Sequence, residues 1–545
     1  METQISAPTP MGIQLTEQEG QICDLLNGCT QFLKDQKNIT TSCRIAGGWV
    51  RDKLLGQDCS DIDIALADMM GVAFAEHLSS YAQEKGVQTG TISKIALNPK
   101  QSKHLETATL KVLGLDIDLV NLRSEEYAED SRIPTGVSFG TPLEDAKRRD
   151  ITINALFYNV QTKEVEDYTG KGLDDMRDGL IRTPLPPKET FKDDPLRVLR
   201  CIRFASRLGY TLVDDLGDAA MDPAIQEALV TKVARERVGV EIDKMMQGRD
   251  PLRSIELFHQ LSLYNSVFFS AIPHEISSRF SRNAFDSDRG LANATLLHIV
   301  LNNTNPQLPA AHPLFLRRLH SDRTATPRLF LATALTPYQG VTYTDKKGKE
   351  HPGVEAVVRE SLKLGAQNHY IDGIPSLFLG VEPLRKVIEE YSTYQSETVR
   401  SSIGLALRNR AIHNPNAGIH WAECGLFSLT TELGALYDIS SNSFDVEMAV
   451  ELVNKYNAFA SRVEELDLHN VGEVIPILNG REIMKAMDTT KGGPWLAFVQ
   501  LHILRWQLDN PQASAADCLQ WLEKELASGK VPSAVQGPPL KPRVK

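Results

Sequence analysis

Asp61 and Asp63 stand two apart in the apolar-flanked run DIDIAL, and Asp116 and Asp118 stand two apart in LGLDIDLVNLR. Successive side chains of a strand point to opposite faces, so each pair projects from one face of its own strand. Carboxylates crowded in this way repel, and a divalent cation relieves the repulsion. Mg²⁺ is commonly held by one or two carboxylates together with substrate phosphates. A single Asp-x-Asp also ends many solvated strands; a second pair is what supports two-metal phosphoryl chemistry, which needs a third carboxylate. Upstream, the Gly47-Gly48 turn lets backbone N–H groups approach a polyphosphate, and Arg51 offers a fork of donors for its oxygens. The residue types fit nucleotidyl transfer, with Asp61 and Asp63 as metal ligands and either Asp116 or Asp118 as the third acid.

Such a site needs strands to hold the carboxylates and helices to close over the nucleotide. Before about residue 180 short β-rich runs (TISKIAL, ATLKVLGLDIDLVNL, INALFYNV) alternate with helical patterns; afterwards the chain reads almost entirely helical. The expected fold is α+β, a small mixed-sheet head followed by an all-α neck, body and tail. The expected divisions are an N-terminal segment at 1–30, the head at 31–183, the neck at 184–260, the body at 261–430 and the tail at 431–545. HPLFLRRLHSDRTATPRL and TPYQGVTYTDKKGKEHPG read as loops between helices, and the final GPPLKPRVK as a disordered end.

After Pro195 the spacing predicts an amphipathic helix. At helical periodicity Arg197, Arg200, Arg203 and Arg207 fall within an arc of about 120°, while Val198, Leu199, Ile202 and Ala205 lie on the other side. Four guanidinium groups so close together repel unless an anion lies nearby, and Asp194, one turn earlier, is placed to orient Arg197. A solvated cationic face is the alternative. Arg235 and Arg237, in VARERVGVEIDKMMQG, either support the same site or are solvated.

Further motifs join these residues. KRRDITINALFYN spans 147–159, EDYTGKGLDD spans 166–175, and DDPLRVLRCIRFASRLGY spans 193–210. With the first motif they resemble the polymerase-beta-like nucleotidyltransferases, and among these the class II tRNA nucleotidyltransferases, the CCA-adding enzymes, most closely the fungal ones. The resemblance covers roughly the first 45% of the chain. It implies Asp61, Asp63 and Asp118 as catalytic and metal-binding residues, Asp118 because it stands five residues before Arg123; Asp116 would then be a solvated neighbour. It also implies Mg²⁺ as cofactor, tRNA as partner and CTP and ATP as substrates. Gly47, Gly48, Arg51, Arg149, Asp194, Arg197, Arg200 and Arg203 would bind nucleotide, with Asp194 and Arg197 acting as an amino-acid template.

That template role is chemically consistent. A carboxylate only accepts and a guanidinium only donates, which matches the exocyclic amine beside a ring nitrogen acceptor that C and A share and U and G lack. Buried polar groups left unpaired by the wrong base give discrimination on the order of 10⁴-fold. The resemblance further implies a hinge at Gly170 and Gly172, and a role in A addition for the polar loop Lys94–Thr109. Its body and tail would receive the tRNA by shape and phosphate contacts. Two other functions share these features: a poly(A) polymerase of the same superfamily, and a catalytically silent tRNA-binding protein, against which three crowded acids argue.

Composition sets outer bounds. The chain has 545 residues, 42% hydrophobic and 24% charged, with a formal charge of −11. A global acidic balance opposes nonspecific nucleic-acid binding but leaves room for a local basic face. Arg317, Arg318, Arg323 and Arg328 form one basic cluster that a solvated loop explains equally well. Seven cysteines without a CxxC read as reduced intracellular thiols. No His-Asp dipeptide or HExxH supports another metal chemistry. No apolar run reaches the roughly 18 residues of a membrane span, and no obligate protein partner is evident. The first 33 residues lack Lys and Arg, which opposes a secretory or mitochondrial leader in this form of the chain. The expected location is cytoplasmic, with nuclear and mitochondrial pools implied by the resemblance and Met11 as a candidate second start.

Overall fold

A computed structural model describes residues 4–95, 107–127, 134–282, 286–365 and 368–529. The loop expected at 94–109 therefore lies mostly outside the described residues, as does the C-terminal GPPLKPRVK. The chain forms two compact units, Met1–His274 with Arg359–Leu364, and Glu275–Val358 with Gly365–Lys545.

Among its described residues the first unit has nine strands before residue 170: β1 (Cys43–Ala46), β2 (Ile62–Leu66), β3 (Ser93–Ile95), β4 (Thr107–Val112), β5 (Leu115–Asn121), β6 (Arg123–Tyr127), β7 (Pro134–Phe139), β8 (Phe157–Asn159) and β9 (Glu164–Glu166). Seven form one sheet in the order β3-β4-β5-β2-β1-β8-β9, and β6 pairs with β7 as a separate hairpin. Among the described strands of this sheet only β2 and β5 run parallel, in a register that sets Asp63 opposite Asp118 and Ile64 opposite Leu119. The alternation of the sequence accounts for this: Ile62, Ile64, Ile117 and Leu119 are fully buried, and the intervening carboxylates take the other face.

Helices Glu17–Lys37 and Gly71–Glu84 pack on the sheet and on each other. The first starts with a capping box between Thr16 and Glu19. Glu19 also accepts from Trp49 Nε1 at 3.1 Å and from Lys53 Nζ at 2.8 Å, which ties this helix to the short helix Gly48–Leu54. Residues 17–30, part of the expected N-terminal segment, thus pack against the sheet and this short helix.

Beyond residue 180 the first unit is helical, as expected, with one exception: Leu180–Ile181 pairs in parallel with Thr211–Leu212. Helix Leu196–Leu208 packs against helices Arg235–Met246 and Pro251–Gln260. Its buried side includes Val198, Leu199, Ile202 and Ala205.

In the second unit, helix Trp421–Gly434 is buried along most of its length and packs against Ser287–Asn302, Pro313–Ser321, Ala325–Ala334 and Gly373–Glu390. Two segments expected as loops differ. HPLFLRRLHSDRTATPRL is mostly helix, Pro313–Ser321 and then Ala325 onward, because Pro313 occupies the first helical turn after the His312 cap and so starts the helix. TPYQGVTYTDKKGKEHPG contains the hairpin Thr342–Thr344/Glu350–Pro352. Arg328, one of the four arginines of the basic cluster, is fully buried, with Nε and Nη2 each 2.6 Å from a Glu423 oxygen. Leu478, Ile483, Trp495, Val499, Ile503, Cys518 and Leu522 form a small core of their own. All seven cysteines are free thiols, and among the described residues no helix is long and apolar enough to cross a membrane.

Candidate active site

The parallel register of β2 and β5 brings three acids together. One carboxylate oxygen from each of Asp61, Asp63 and Asp118 lies within 4.8 Å of the others. Burial, then the charges of Asp61 and Asp118, push the Asp63 carboxyl up to about 6. Three oxygen donors brought this close together fit a hard divalent cation. Asp118 is braced by the Thr109 hydroxyl, which donates to Oδ1 at 2.6 Å. Asp116 is not in the cluster; it sits at the exposed end of the strand, 3.7 Å from Lys111 Nζ.

Facing these acids is a cleft of about 600 Å³ lined by nine arginines and three aspartates. Gly47 lies at its wall with φ +72° and ψ −123°, a backbone shape that only glycine adopts readily. A Cβ there would stand 2.8 Å from Arg149 Nη1, so that arginine tip would have to shift. Gly48 follows as the first residue of helix Gly48–Leu54.

Every arginine expected to bind nucleotide lines the cleft, and each is already held in place. Arg51 is buried, gives Nε to Asp52 at 2.8 Å and Nη1 to Asn154 at 2.5 Å, and stacks on Phe204. Arg149 gives Nε and Nη2 to the buried Asp145 at 3.0 and 2.9 Å. Arg200 bonds Asp150, Arg203 bonds Glu241 at 2.6 Å, and Arg207 reaches Asp52 at 3.4 Å. Part of the anionic charge that the crowding of this stripe calls for therefore comes from the chain itself: Asp150, Glu241 and Asp52, distant in sequence, relieve its repulsion.

Asp194 does not orient the Arg197 side chain either. Its Oδ2 accepts from Arg237 Nη2 at 2.9 Å and its Oδ1 from the Leu196 N–H at 3.2 Å. Arg197, 8% exposed, gives Nη1 to the Thr190 carbonyl at 3.3 Å and Nη2 to the Arg148 carbonyl at 2.7 Å. Of the two open cases, Arg237 belongs to the cleft, whereas Arg235 bonds the carbonyls of Ser361 and Val267, both at 2.7 Å. Asp150, Asn154, Phe204 and Glu241 escaped sequence reasoning. All four lie inside quoted segments; for Asp150 and Asn154 the carboxylate and amide beside Arg149 were the available signal, and nothing marked Phe204 or Glu241.

The expected hinge divides into two cases. Gly170 has φ +64°, and the Asp167 carboxylate accepts its N–H at 3.0 Å. At Gly172 a Cβ would lie 2.8 Å from both Leu156 Cδ2 and the Thr152 carbonyl, so close packing is sufficient reason for that glycine.

Residues 43–182 match the family described as Poly A polymerase head domain. The chain is 36% identical to the mitochondrial CCA tRNA nucleotidyltransferase of Saccharomyces cerevisiae, over 94% of this chain and 93% of that one. Similarity to the CCA-adding enzyme of Lactiplantibacillus plantarum, at 33% identity, covers 40% of this chain and 48% of that one. A solved structure of the Thermotoga maritima CCA-adding enzyme complexed with tRNA shares the fold, with a TM-score of 0.56 at 19% identity, covering 93% of this chain and 96% of that one.

Proposed function

The chain belongs to the CCA tRNA nucleotidyltransferases, and from that premise we propose how its cleft adds C, C and A to the 3′ end of tRNA. CTP is used twice and ATP once, without a nucleic-acid template. In each round the tRNA 3′-hydroxyl attacks the α-phosphorus in line and pyrophosphate leaves. The observation that carries this reading is the three-carboxylate cluster of Asp61, Asp63 and Asp118 beside a cleft with nine arginines. Full-length similarity to CCA-adding relatives favours this reading over poly(A) synthesis, and the crowded acids favour it over a silent tRNA-binding protein.

Mg²⁺ is the ion we assign to the cluster, with Asp61, Asp63 and Asp118 as its ligands. When bound, it lowers the pKa of the attacking hydroxyl and offsets charge on the leaving group. The chain's own groups do the remaining work. Gly47, Gly48 and Arg51 hold the triphosphate, and Arg149, Arg200 and Arg203 add positive potential along it. Asp118, braced by Thr109, is placed to take the hydroxyl proton. Asp194 and Arg197 read the base by acceptor and donor, in positions supported by Arg237 and by the two carbonyls that hold Arg197. The head, neck, body and tail keep their functional boundaries at 31–183, 184–260, 261–430 and 431–545 as part of this proposal. So does Gly170 as the pivot between C and A addition. By analogy with its fungal relatives, a mitochondrial pool accompanies cytoplasmic and nuclear ones.

The test is Asp61→Ala and Asp118→Ala, assayed for incorporation and, separately, for tRNA binding. Both variants should lose incorporation by more than about a thousandfold while still binding tRNA. Retained incorporation in both would sink the assignment.

A further inference from the structure

The second unit has a cleft of its own, of about 270 Å³, lined from helix Pro313–Ser321, the start of helix Trp421–Gly434 and the turn at 469–473. Arg317 and Arg318 line it. Arg318 Nε is buried without a hydrogen-bond partner, and among the described residues neither arginine is held in an ion pair. Arg328, one helix on, is different: it is fully neutralised by Glu423. Arg317 is exposed and Arg318 half-exposed at the wall, so their guanidinium donors can meet an acceptor that enters the cleft.

A third donor borders the same space. His420 Nδ1 accepts the Ala422 N–H at 3.2 Å, which leaves the imidazole proton on Nε2. Burial, then His413 and Arg318, holds this imidazole down at about 3, so His420 contributes a neutral N–H. With the imidazoles counted as neutral, His469 included, which stands 3.4 Å from Asp467, the charged groups of the lining are Arg317 and Arg318 against Glu473. Their surplus of one positive charge matches a phosphodiester. A free triphosphate carries several negative charges, for which the arginine-rich head cleft is far better matched.

We infer that Arg317 and Arg318 make this cleft a seat for one backbone phosphate of the tRNA, an inference that rests on tRNA being the substrate. Double-helical RNA is held mainly through its phosphates and sugars, and a guanidinium is suited to phosphate oxygens. The site would add affinity for tRNA without taking part in the chemistry.

The experiment uses the full chain with Arg317→Glu, which alters an exposed side chain, and with Arg318→Gln. Binding of tRNA is measured without turnover across a salt series, alongside steady-state kinetics. Each variant should bind tRNA about tenfold more weakly, with a salt slope shallower by about one. The tRNA KM should rise in parallel, and kcat and the KM for CTP should not move. Unchanged tRNA affinity and slope in both variants would overturn the inference. Inorganic phosphate is the probe for the other source of this chemistry: phosphate stabilisation of the wild type that the variants lose, with tRNA binding intact, would identify a free-anion site and also overturn it. If the wild type failed to extend tRNA, the parent reading would fall, while the binding and salt measurements would still decide this one.

Discussion

Arg200 reaches from helix Leu196–Leu208 to Asp150, with Nε and Nη2 at 2.7 and 2.6 Å from the same Oδ2. Burial alone would raise the Asp150 carboxyl, but the Arg200 charge and the hydrogen bonds from Asn154 and the Ile151 N–H hold it at about 2. A carboxylate held below its unfolded value of about 3.9 stabilises the fold above that pH, and the contribution is lost as pH falls toward 2. Asp150→Asn should therefore lower stability near neutral pH by on the order of 2 kcal/mol, a figure reduced because Arg200 is partly exposed. In urea melts the gap from wild type should be level between about pH 5 and 8 and shrink below about pH 4. A gap independent of pH would contradict the electrostatic account.

Asp63 behaves in the opposite sense. Its carboxyl is raised to about 6, so the folded chain favours the protonated form. That contribution is complete below about pH 4 and is lost as pH rises through about 6. In EDTA-treated protein, Asp63→Asn should be more stable than wild type at pH 7.5 by about 1–2 kcal/mol and no more stable at about pH 4, while incorporation is lost. A variant less stable than wild type at pH 7.5 would refute the crowding of the acids.

The base-reading role of Arg197 depends on its planar fork. Arg197→Lys keeps the charge but loses the fork and at least one of the two carbonyl bonds that set its position. Discrimination of CTP against UTP should fall by on the order of tenfold or more, measured as the ratio of kcat/KM values. Unchanged discrimination with a general loss of rate would assign Arg197 to structure alone.

Much of this site was legible because its chemistry is local in sequence. Asp61 and Asp63 share a face by strand alternation, and the arginines of 197–207 share one by helical periodicity. Asp118 was harder, because which member of a same-face pair meets another strand depends on register; β2 pairing with β5 sets Asp63 opposite Asp118 and leaves Asp116 at the exposed end. Contacts that depend on tertiary packing were not legible at all. Glu241 meets Arg203 from 38 residues away, and Arg237 meets Asp194 from 43. In the second unit, prolines that suggested loops start helices instead, and Arg328 lies buried against Glu423. Motifs carried the resemblance through less than half the chain, whereas aligned relatives extend it over 94%, because helical bodies retain pattern and packing without retaining short signatures.

The central claim is best tested by incubating the protein with a tRNA transcript ending at the discriminator base, with Mg²⁺ and with CTP and ATP singly and together, resolved at single-nucleotide length. The account predicts two additions with CTP alone, a third when ATP is also present, and then a stop. A long ladder of A, or no extension despite tight tRNA binding, would contradict it.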